Sequence, residues 1–410
     1  MTTDVATGAT ESVSLKRTLT LPLVALYGLG VTVGAGIYVL IGETAALAGA
    51  YAPMAFMIAA LVVGFTAFSY AELSTRYPVS AGEAAYVQAG LRRVWIAQAV
   101  GLAVATSGIV SAAAVAIGAG GYLASLLTVP AGFATTVIIL LMGLVAWWGI
   151  TESVASAAII TVIEVLGLGF VIAWGFGAAE PAGVSLAEMI PPLQGSHWLG
   201  IGAASVLAFF AFVGFEDMVN VAEEVKNPRK VLPQAIATTL VVATLIYIAV
   251  VAAVLMTVPL TDLAGAKAPL TLVFADAPGW VQNSFSAVAV LATINGVLIQ
   301  MIMASRVIYG MADRGQLPSA LAQISPLTST PGHATALVVA IVLALTQLVP
   351  IERLAGYTSQ IVLCVFVFVN LSLIAIKRQS SSVGDYFNVP LAVPILGVVT
   401  SLALLAISLI

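Results

Sequence analysis

The chain has 410 residues, of which 61% are hydrophobic and only 8% are charged, and its net charge is −4. Because an ordinary globular domain carries about 25% charged residues, this composition excludes a soluble fold and predicts a polytopic protein in the lipid bilayer. The small net charge and the lack of a basic run exclude a nucleic-acid partner. The single cysteine, Cys364, excludes an intrachain disulfide and a metal site built from cysteines.

The first segment of the chain differs from a cleaved signal peptide. Residues 1–19 are polar and include Asp4 and Glu11. The apolar run that follows is longer than the roughly 7–15 apolar residues of a signal peptide. We therefore expect a cytoplasmic tail over residues 1–19, followed by a membrane span that is retained.

Eleven runs are long and apolar enough to cross a membrane, which takes about 20 residues. The shortest of them, 334–350, is followed by the charged residues Glu352 and Arg353. The predicted spans cover residues 20–43, 52–73, 96–126, 133–150, 153–177, 199–222, 233–257, 281–311, 334–350, 354–376 and 388–410.

The distribution of Lys and Arg sets the predicted orientation, because cytoplasmic loops are enriched in these residues. Only Lys267 and Arg353 lie on one side of the predicted spans. The residues on the other side are Lys16, Arg17, Arg76, Arg92, Arg93, Lys226, Arg229, Lys230, Arg306, Arg314, Lys377 and Arg378. We therefore predict a multi-pass protein of the plasma (cytoplasmic) membrane with its N-terminus in the cytoplasm.

Span one is unusually rich in glycine. It contains Gly28, Gly30, Gly34 and Gly36, and each glycine in a helix interior costs about 1 kcal/mol relative to alanine. A nucleotide-binding turn is excluded because no strand precedes the glycines. Two interpretations remain: close helix packing through the small residues Gly30 and Gly34, or a helix that unwinds at about residues 33–36 and lines a cavity.

Span six carries a matching irregularity. The glycine Gly214 and the adjacent acids Glu216 and Asp217 interrupt an apolar run. A charged residue at the centre of a membrane helix costs roughly 2.5–3.5 kcal/mol. Both carboxylates must therefore face the protein interior, water or a partner, and we predict that span six unwinds at about 211–215.

Two interrupted helices at corresponding positions of two halves are typical of transporters built from inverted repeats, with the binding site between the breaks. We predict an all-α polytopic membrane protein with two inverted five-helix repeats, broken helices one and six, and one peripheral span. The predicted boundaries are 20–177 for the first repeat (spans 1–5), 178–198 for an extracellular loop, 199–376 for the second repeat (spans 6–10), and 377–410 for a cytoplasmic loop and span 11.

Several motifs in these segments resemble those of the amino acid–polyamine–organocation (APC) superfamily of permeases, in its amino-acid transporter branch. They are VGAGIY at 33–38, SYAEL at 69–73 with YPVSAGEAAY at 77–86, FFAFVGFE at 209–216 with AEEVKNP at 222–228, and SRVIYGMADRGQLP at 305–318. The likeness covers most of the chain, and the span-six motif is its most specific part.

The resemblance implies a substrate site between the two breaks. Backbone N–H groups of Gly34, Ala35 and Gly36 would hold the α-carboxylate of an amino acid. Carbonyl groups of Thr32, Phe210 and Val213 would hold its α-amine, and the Phe210 ring would gate the site. The physics agrees, because the N-terminus of a half-helix attracts an anion and the C-terminus of a half-helix attracts a cation.

Several polar or acidic residues within the predicted spans allow more than one interpretation. Asn295 and Gln300 in span eight either bond neighbouring helices or line the pocket for the substrate side chain. Glu216 matches an acid of the family and is a candidate for coupling, whereas Asp217 either contributes to coupling or caps a helix. Glu164 in span five stands where several members have a lysine, so it would carry a proton or bind a sodium ion.

We therefore expect a secondary active transporter of an amino acid, driven by proton symport or by amino-acid exchange. The alternatives are a polyamine or other organocation carrier, and a sodium-coupled amino-acid symporter. Both histidines, His197 and His333, lie in predicted loops, so no catalytic or metal site is expected. The protein would use no cofactor other than a coupling proton or sodium ion, its partner is a small amino acid or amine, and the oligomeric state stays open.

Overall fold

The computed structural model describes residues 17–409 with the exception of 34–35, 79–81, 149–153, 178–182, 194, 329, 380–383 and 385. The described residues are helical apart from turns and one parallel bridge between Leu19 and Val225. The α-helices are α1 (Leu21–Val33), α2 (Gly36–Ala48), α3 (Ala52–Arg76), α4 (Gly82–Leu91), α5 (Val94–Leu127), α6 (Ala131–Trp148), α7 (Val154–Gly177), α8 (Gly195–Phe210), α9 (Pro228–Thr257), α10 (Leu260–Leu263), α11 (Gly279–Asp313), α12 (Gly332–Leu348), α13 (Ile351–Gln379) and α14 (Ala392–Ile407).

Eight helical segments in the described part of the chain are long and apolar enough to cross a membrane. They are Gly36–Arg76, Val94–Leu127, Ala131–Trp148, Ala158–Gly177, His197–Val219, Pro228–Thr257, Gly279–Asp313 and Ile351–Gln379. The shorter apolar helices α1, α12 and α14 fall in the predicted spans one, nine and eleven. The prediction of an all-α polytopic membrane protein is confirmed, whereas the inverted repeat stays a prediction.

Spans one and two are joined with almost no loop. A single 3₁₀ turn, Gly49–Tyr51, connects α2 to α3. Gly49 has φ 57°, a left-handed conformation that glycine adopts without strain. Pro53 follows in the first turn of α3, where a missing backbone N–H leaves no hydrogen bond unmade.

Span six breaks where the sequence predicts it. Helix α8 ends at Phe210, residues 211–214 form a turn, and a 3₁₀ helix then runs over Phe215–Glu224. Gly214 has φ 115°, which a residue with a side chain rarely adopts. A 3₁₀ run of this length is uncommon, and here it carries the two acids Glu216 and Asp217.

Helices α5 and α11 pack along each other through much of their length, and α1 packs against α7 and α9. Small residues allow this close approach, as helix packing in membranes requires. A Cβ atom on Gly118 of α5 would collide with the side chain of Val39, and one on Gly90 of α4 would collide with the backbone of Ser372. These glycines therefore let α5 approach α2, and α4 approach α13, at short range.

Charged residues join several elements at one end of the helices. We call this end the basic end, because the predicted cytoplasmic Lys and Arg residues lie there. The Glu72 carboxylate is fully buried. It contacts the Arg76 guanidinium at 2.6 Å and the Lys377 ammonium at 2.7 Å, and it accepts the backbone N–H of Val389 at 2.8 Å. The guanidinium of Arg76 also lies 4.0 Å above the Tyr386 ring. One carboxylate therefore ties α3, α13 and the segment before α14 together.

This network predicts a stability effect. Substitution Glu72→Gln leaves the charges of Arg76 and Lys377 uncompensated, and breaking a buried ion pair costs about 3 kcal/mol. We expect a lower unfolding temperature for the purified variant in detergent. Asp276→Asn, at an exposed acid, is the matched control and should unfold at the temperature of the unmodified protein. Equal unfolding temperatures for both variants would contradict the assigned role of Glu72.

Candidate functional site

A cavity lies beside the break of span six, and residues of four spans line it. The break contributes Phe210 and Val213, and span one contributes Thr32 and Gly36. The complete lining is Val31, Thr32, Gly36, Ser111, Val115, Phe210, Val213, Gly296, Ile299 and Gln300. This first cavity combines an apolar wall with backbone groups and a few polar side chains, as is usual for a small-molecule site.

A tyrosine on span seven connects the two predicted breaks. The hydroxyl of Tyr247 lies 2.7 Å from the carbonyl oxygen of Thr32 and 2.7 Å from that of Ala211. Its ring is fully buried and packs edge-on against Phe212 at 5.0 Å and Phe56 at 5.9 Å. The hydroxyl proton is thus shared between two carbonyl groups that belong to different repeats of the predicted fold.

Span one approaches span six so closely that only glycine fits at Gly36. A Cβ atom there would overlap the backbone of Ala211. Helix α1 extends to Val33 and α2 begins at Gly36. The first turn of α2 therefore lies directly against the break of span six. The predicted unwinding of span one falls partly on residues 34–35, outside the described part of the chain.

The hydrogen bonds in the break of span six differ in part from the expectation. The Phe210 carbonyl, which the resemblance assigns to the substrate amine, accepts the N–H of Val213 at 3.1 Å. The N–H of Gly214 donates to a carboxylate oxygen of Glu216 at 2.8 Å. Glu216 therefore holds the turn that precedes its own 3₁₀ helix. A carbonyl oxygen has two lone pairs, so Phe210 keeps capacity for a second donor.

A second cavity adjoins the first on the side of the basic end. Val213 and Gln300 line both cavities. The second cavity is lined by Tyr70, Glu83, Val104, Ser107, Val213, Glu216, Asp217, Gln300, Met303, Val362, Val365 and Phe366. On span three, the residues that line the second cavity are nearer to Arg93 than those that line the first cavity. On span eight, the residues that line the second cavity are likewise nearer to Arg306. The order along the membrane normal is therefore first cavity, second cavity, basic end.

Three carboxylic acids face this second cavity. Glu83, at the start of α4 between spans two and three, accepts the hydroxyl of Tyr70 at 3.1 Å. Burial raises the pKa of the Glu83 carboxyl, and hydrogen bonds from the backbone and from Tyr70 oppose this rise only in part. Glu216 bonds the backbone as described above, and Asp217 is 6% exposed.

The remaining predicted site residues are placed as follows. Gly34 and Ala35 lie outside the described residues. Asn295 is 6% exposed but lines neither of the two cavities. Glu164 is fully buried in α7 and also lines neither cavity, while its backbone carbonyl accepts the hydroxyl of Tyr38 at 3.0 Å. Thr32, Gly36, Phe210, Val213 and Gln300 meet at the first cavity, and Glu216 and Asp217 at the second.

Sequence reasoning assigned no role to three residues of the site. No motif marks Tyr247, although a lone tyrosine hydroxyl in the apolar span seven requires a partner. Tyr70 and Glu83 belong to motifs that carry the family resemblance, but their spacing of thirteen residues across a turn gives no local signal that they meet. The one sequence feature that could mark Glu83 is its position as an acid in the short segment between two predicted spans.

Comparison with known proteins adds independent information. A family model described as amino acid permease matches residues 19–410. A branched-chain amino acid permease of Bacillus subtilis (strain 168) is 29% identical over 405 residues, which cover 93% of this chain and 85% of that protein. A vacuolar cationic amino acid transporter 2 of Arabidopsis thaliana is 29% identical over 398 residues, covering 91% and 62%. A methylthioribose transporter of Bacillus subtilis (strain 168) is 27% identical over 412 residues, covering 95% and 87%.

The contact of Tyr247 with two carbonyl groups predicts a measurable cost when its hydroxyl is removed. Tyr247→Phe keeps the ring packing and removes the hydroxyl that donates to two buried carbonyl groups, a loss worth about 1 kcal/mol or more. We expect a lower unfolding temperature and faster amide hydrogen exchange over residues 208–214. Tyr357→Phe, at a tyrosine that is 47% exposed, is the control. Unchanged exchange in Tyr247→Phe would show that the hydroxyl does not hold the break.

Proposed function

Because the chain belongs to the amino acid permease family, we propose that it is a secondary active transporter that moves an amino acid across the cytoplasmic membrane by alternating access. The family is one of permeases, so the protein is a membrane transport protein and not an enzyme. The observation that carries the proposal is the first cavity, where the break of span six meets Thr32 and Gly36 of span one. The N-terminus would lie in the cytoplasm, as the distribution of Lys and Arg predicts.

The backbone around the first cavity suits a zwitterion. Helix α2 starts at Gly36, and the N–H groups of a helix start attract a carboxylate. Gly34 and Ala35 complete this anion site in the proposal. Carbonyl oxygens of Thr32, Phe210 and Val213 would accept hydrogen bonds from the α-amine. The carbonyl of Thr32 already accepts from Tyr247 and retains a second lone pair for the substrate.

Three buried acids are candidates for coupling. Glu216 holds the N–H of Gly214, so protonation of Glu216 would weaken the bond that shapes the break. Asp217 follows it on the same 3₁₀ helix. Glu164 lies in α7, one turn after Thr161, and a Cβ atom on Gly30 of span one would collide with the Thr161 side chain. Each acid thus lies on or near one of the two interrupted spans, one and six. We favour a proton over a sodium ion as the coupling ion.

Uptake into liposomes tests the proposed function. The purified protein is reconstituted, and radiolabelled amino acids are supplied with an inward proton gradient, an inward sodium gradient, internal amino acid, or none of these. We expect saturable uptake that a proton gradient or internal amino acid stimulates. The carboxamide of the same amino acid, in which the α-carboxylate is replaced by a neutral amide and the α-amine is kept, should compete poorly. Uptake of putrescine with no uptake of any amino acid would replace the proposal with a polyamine carrier.

Glu164→Gln tests the proposed coupling residue, because it keeps the shape of the side chain and removes its titration. We expect the variant to bind substrate, measured as a thermal shift, and to lose uptake driven by a proton gradient. Glu352→Gln, at an acid in the first turn of α13, is the control. Concentrative uptake with unchanged pH dependence in Glu164→Gln would exclude Glu164 and direct attention to Glu216 and Asp217.

A further inference from the structure

The second cavity has the composition of a cation site. Its three carboxylic acids come from two elements: Glu83 from α4, and Glu216 and Asp217 from the 3₁₀ helix after the break. Tyr70 adds a hydroxyl oxygen, and no side chain among its described lining residues is basic. Acids at this depth are costly unless a positive group or a set of hydrogen-bond donors meets them.

The described residues supply no hydrogen-bond donor to the Asp217 carboxylate. The Glu83 carboxylate accepts a hydrogen bond from the hydroxyl of Tyr70, and the Glu216 carboxylate accepts one from the N–H of Gly214. Among the described residues, the Asp217 carboxylate makes no hydrogen bond or ion pair, although the residue is 6% exposed. This differs from the fully buried Glu72, whose charge two basic side chains compensate. Asp217 is therefore an acceptor that a donor in the second cavity can reach.

Gln300 is a second, independent polar group in the same place, and no described residue bonds its amide. The residue is 7% exposed and lines both cavities. Within the described part of the chain its amide makes no hydrogen bond, so it does not join α11 to a neighbouring helix. A Cβ atom on Gly108 of α5 would lie 3.3 Å from its Oε1 atom, so the glycine leaves room for this side chain. A buried amide without a partner points to a polar ligand.

The spacing of the acids favours an extended organic cation over a metal ion. In the described residues, no three Asp, Glu, His or Cys side chains lie close enough together to hold one metal ion. A guanidinium carries five N–H donors in a planar fork, and an ammonium carries three. Such a group can donate to acceptors that lie apart from one another. The acceptors that line the second cavity therefore suit a guanidinium or an ammonium group, which carries several N–H donors.

The position of the second cavity connects it to the substrate site. Val213 and Gln300 form part of both linings, so a side chain that leaves the first cavity toward the basic end passes these two residues. We propose that the second cavity receives the basic side chain of a cationic amino acid whose α-amino and α-carboxylate groups occupy the first cavity. This inference rests on the proposed transport function and adds the substrate class and the residues that recognise it.

The test compares substrates that differ in charge but not in length. L-arginine and L-citrulline have side chains of equal length, and only arginine carries a positive charge. Their kcat/KM values for uptake are measured in liposomes containing the unmodified protein, Asp217→Asn or Glu83→Gln, with L-leucine as a neutral reference. Glu224→Gln, on the same 3₁₀ helix but outside the cavity lining, is the matched control.

We expect the unmodified protein to prefer arginine to citrulline, and the ratio of their kcat/KM values to fall about ten-fold or more in Asp217→Asn, because one partner of a buried charge pair is lost. Glu83→Gln should lower the ratio in the same direction, and Glu224→Gln should leave it unchanged. A role of Asp217 in coupling alone would lower uptake of all substrates and leave the ratio unchanged, which would overturn the inference.

Two further outcomes separate this inference from the proposed function. Uptake of leucine without uptake or binding of arginine or lysine would overturn the inference and leave the transport function intact. Absence of uptake of every amino acid by folded protein would overturn the proposed function and the inference with it. Thermal shifts of each purified variant with arginine and with leucine show whether the variant is folded and report binding without the transport cycle.

Discussion

A carbonyl group freed from a helix inside a membrane has no water to bond, and the architecture of this protein depends on how that constraint is met. The turn at 211–214 interrupts span six, and the carbonyl of Ala211 finds its donor in the hydroxyl of Tyr247. The same hydroxyl reaches the carbonyl of Thr32 in span one. Because Gly36 has no side chain, the two segments lie backbone against backbone beside the first cavity. The groups that a substrate would use are thus held in place by a residue outside the cavity lining.

Buried acids in this protein belong to two physical classes. Glu72 is surrounded by donors from Arg76, Lys377 and the backbone of Val389, and its role is to join helices at the basic end. The acids of the second cavity have weaker partners or, for Asp217, none among the described residues. A paired charge stabilises one arrangement of the helices, whereas an acid without a partner gains free energy only when a cation or a proton arrives. Compensation by neighbouring donors therefore separates Glu72 from the acids that are proposed to act in transport.

The two proposals for the second cavity make different demands on the same carboxylates. An acid that binds a basic side chain must be ionised, while an acid that carries a proton must be neutral during part of the cycle. One residue cannot satisfy both demands in a single step. Glu164, which lies apart from both cavities in α7, offers a place for proton carriage away from the substrate side chain. With Glu164 as the coupling acid, coupling would take place in span five and recognition of the substrate side chain in span six and at Glu83.

The sequence by itself determined the membrane class, the helical fold and the break in span six, because apolar length, glycine and adjacent acids act through the local cost of placing such residues in lipid. It also determined the family, since motifs such as FFAFVGFE are contiguous. Only the tertiary structure decided which polar residues meet. Asn295 and Gln300 differ by five positions on one helix, yet only Gln300 lines the cavities, and Tyr247 and Glu83 reach the site from segments without a local signal. Which face of a helix meets a neighbour depends on the packing of all the helices, and small residues such as Gly36, Gly90 and Gly118 set that packing through contacts distant in sequence.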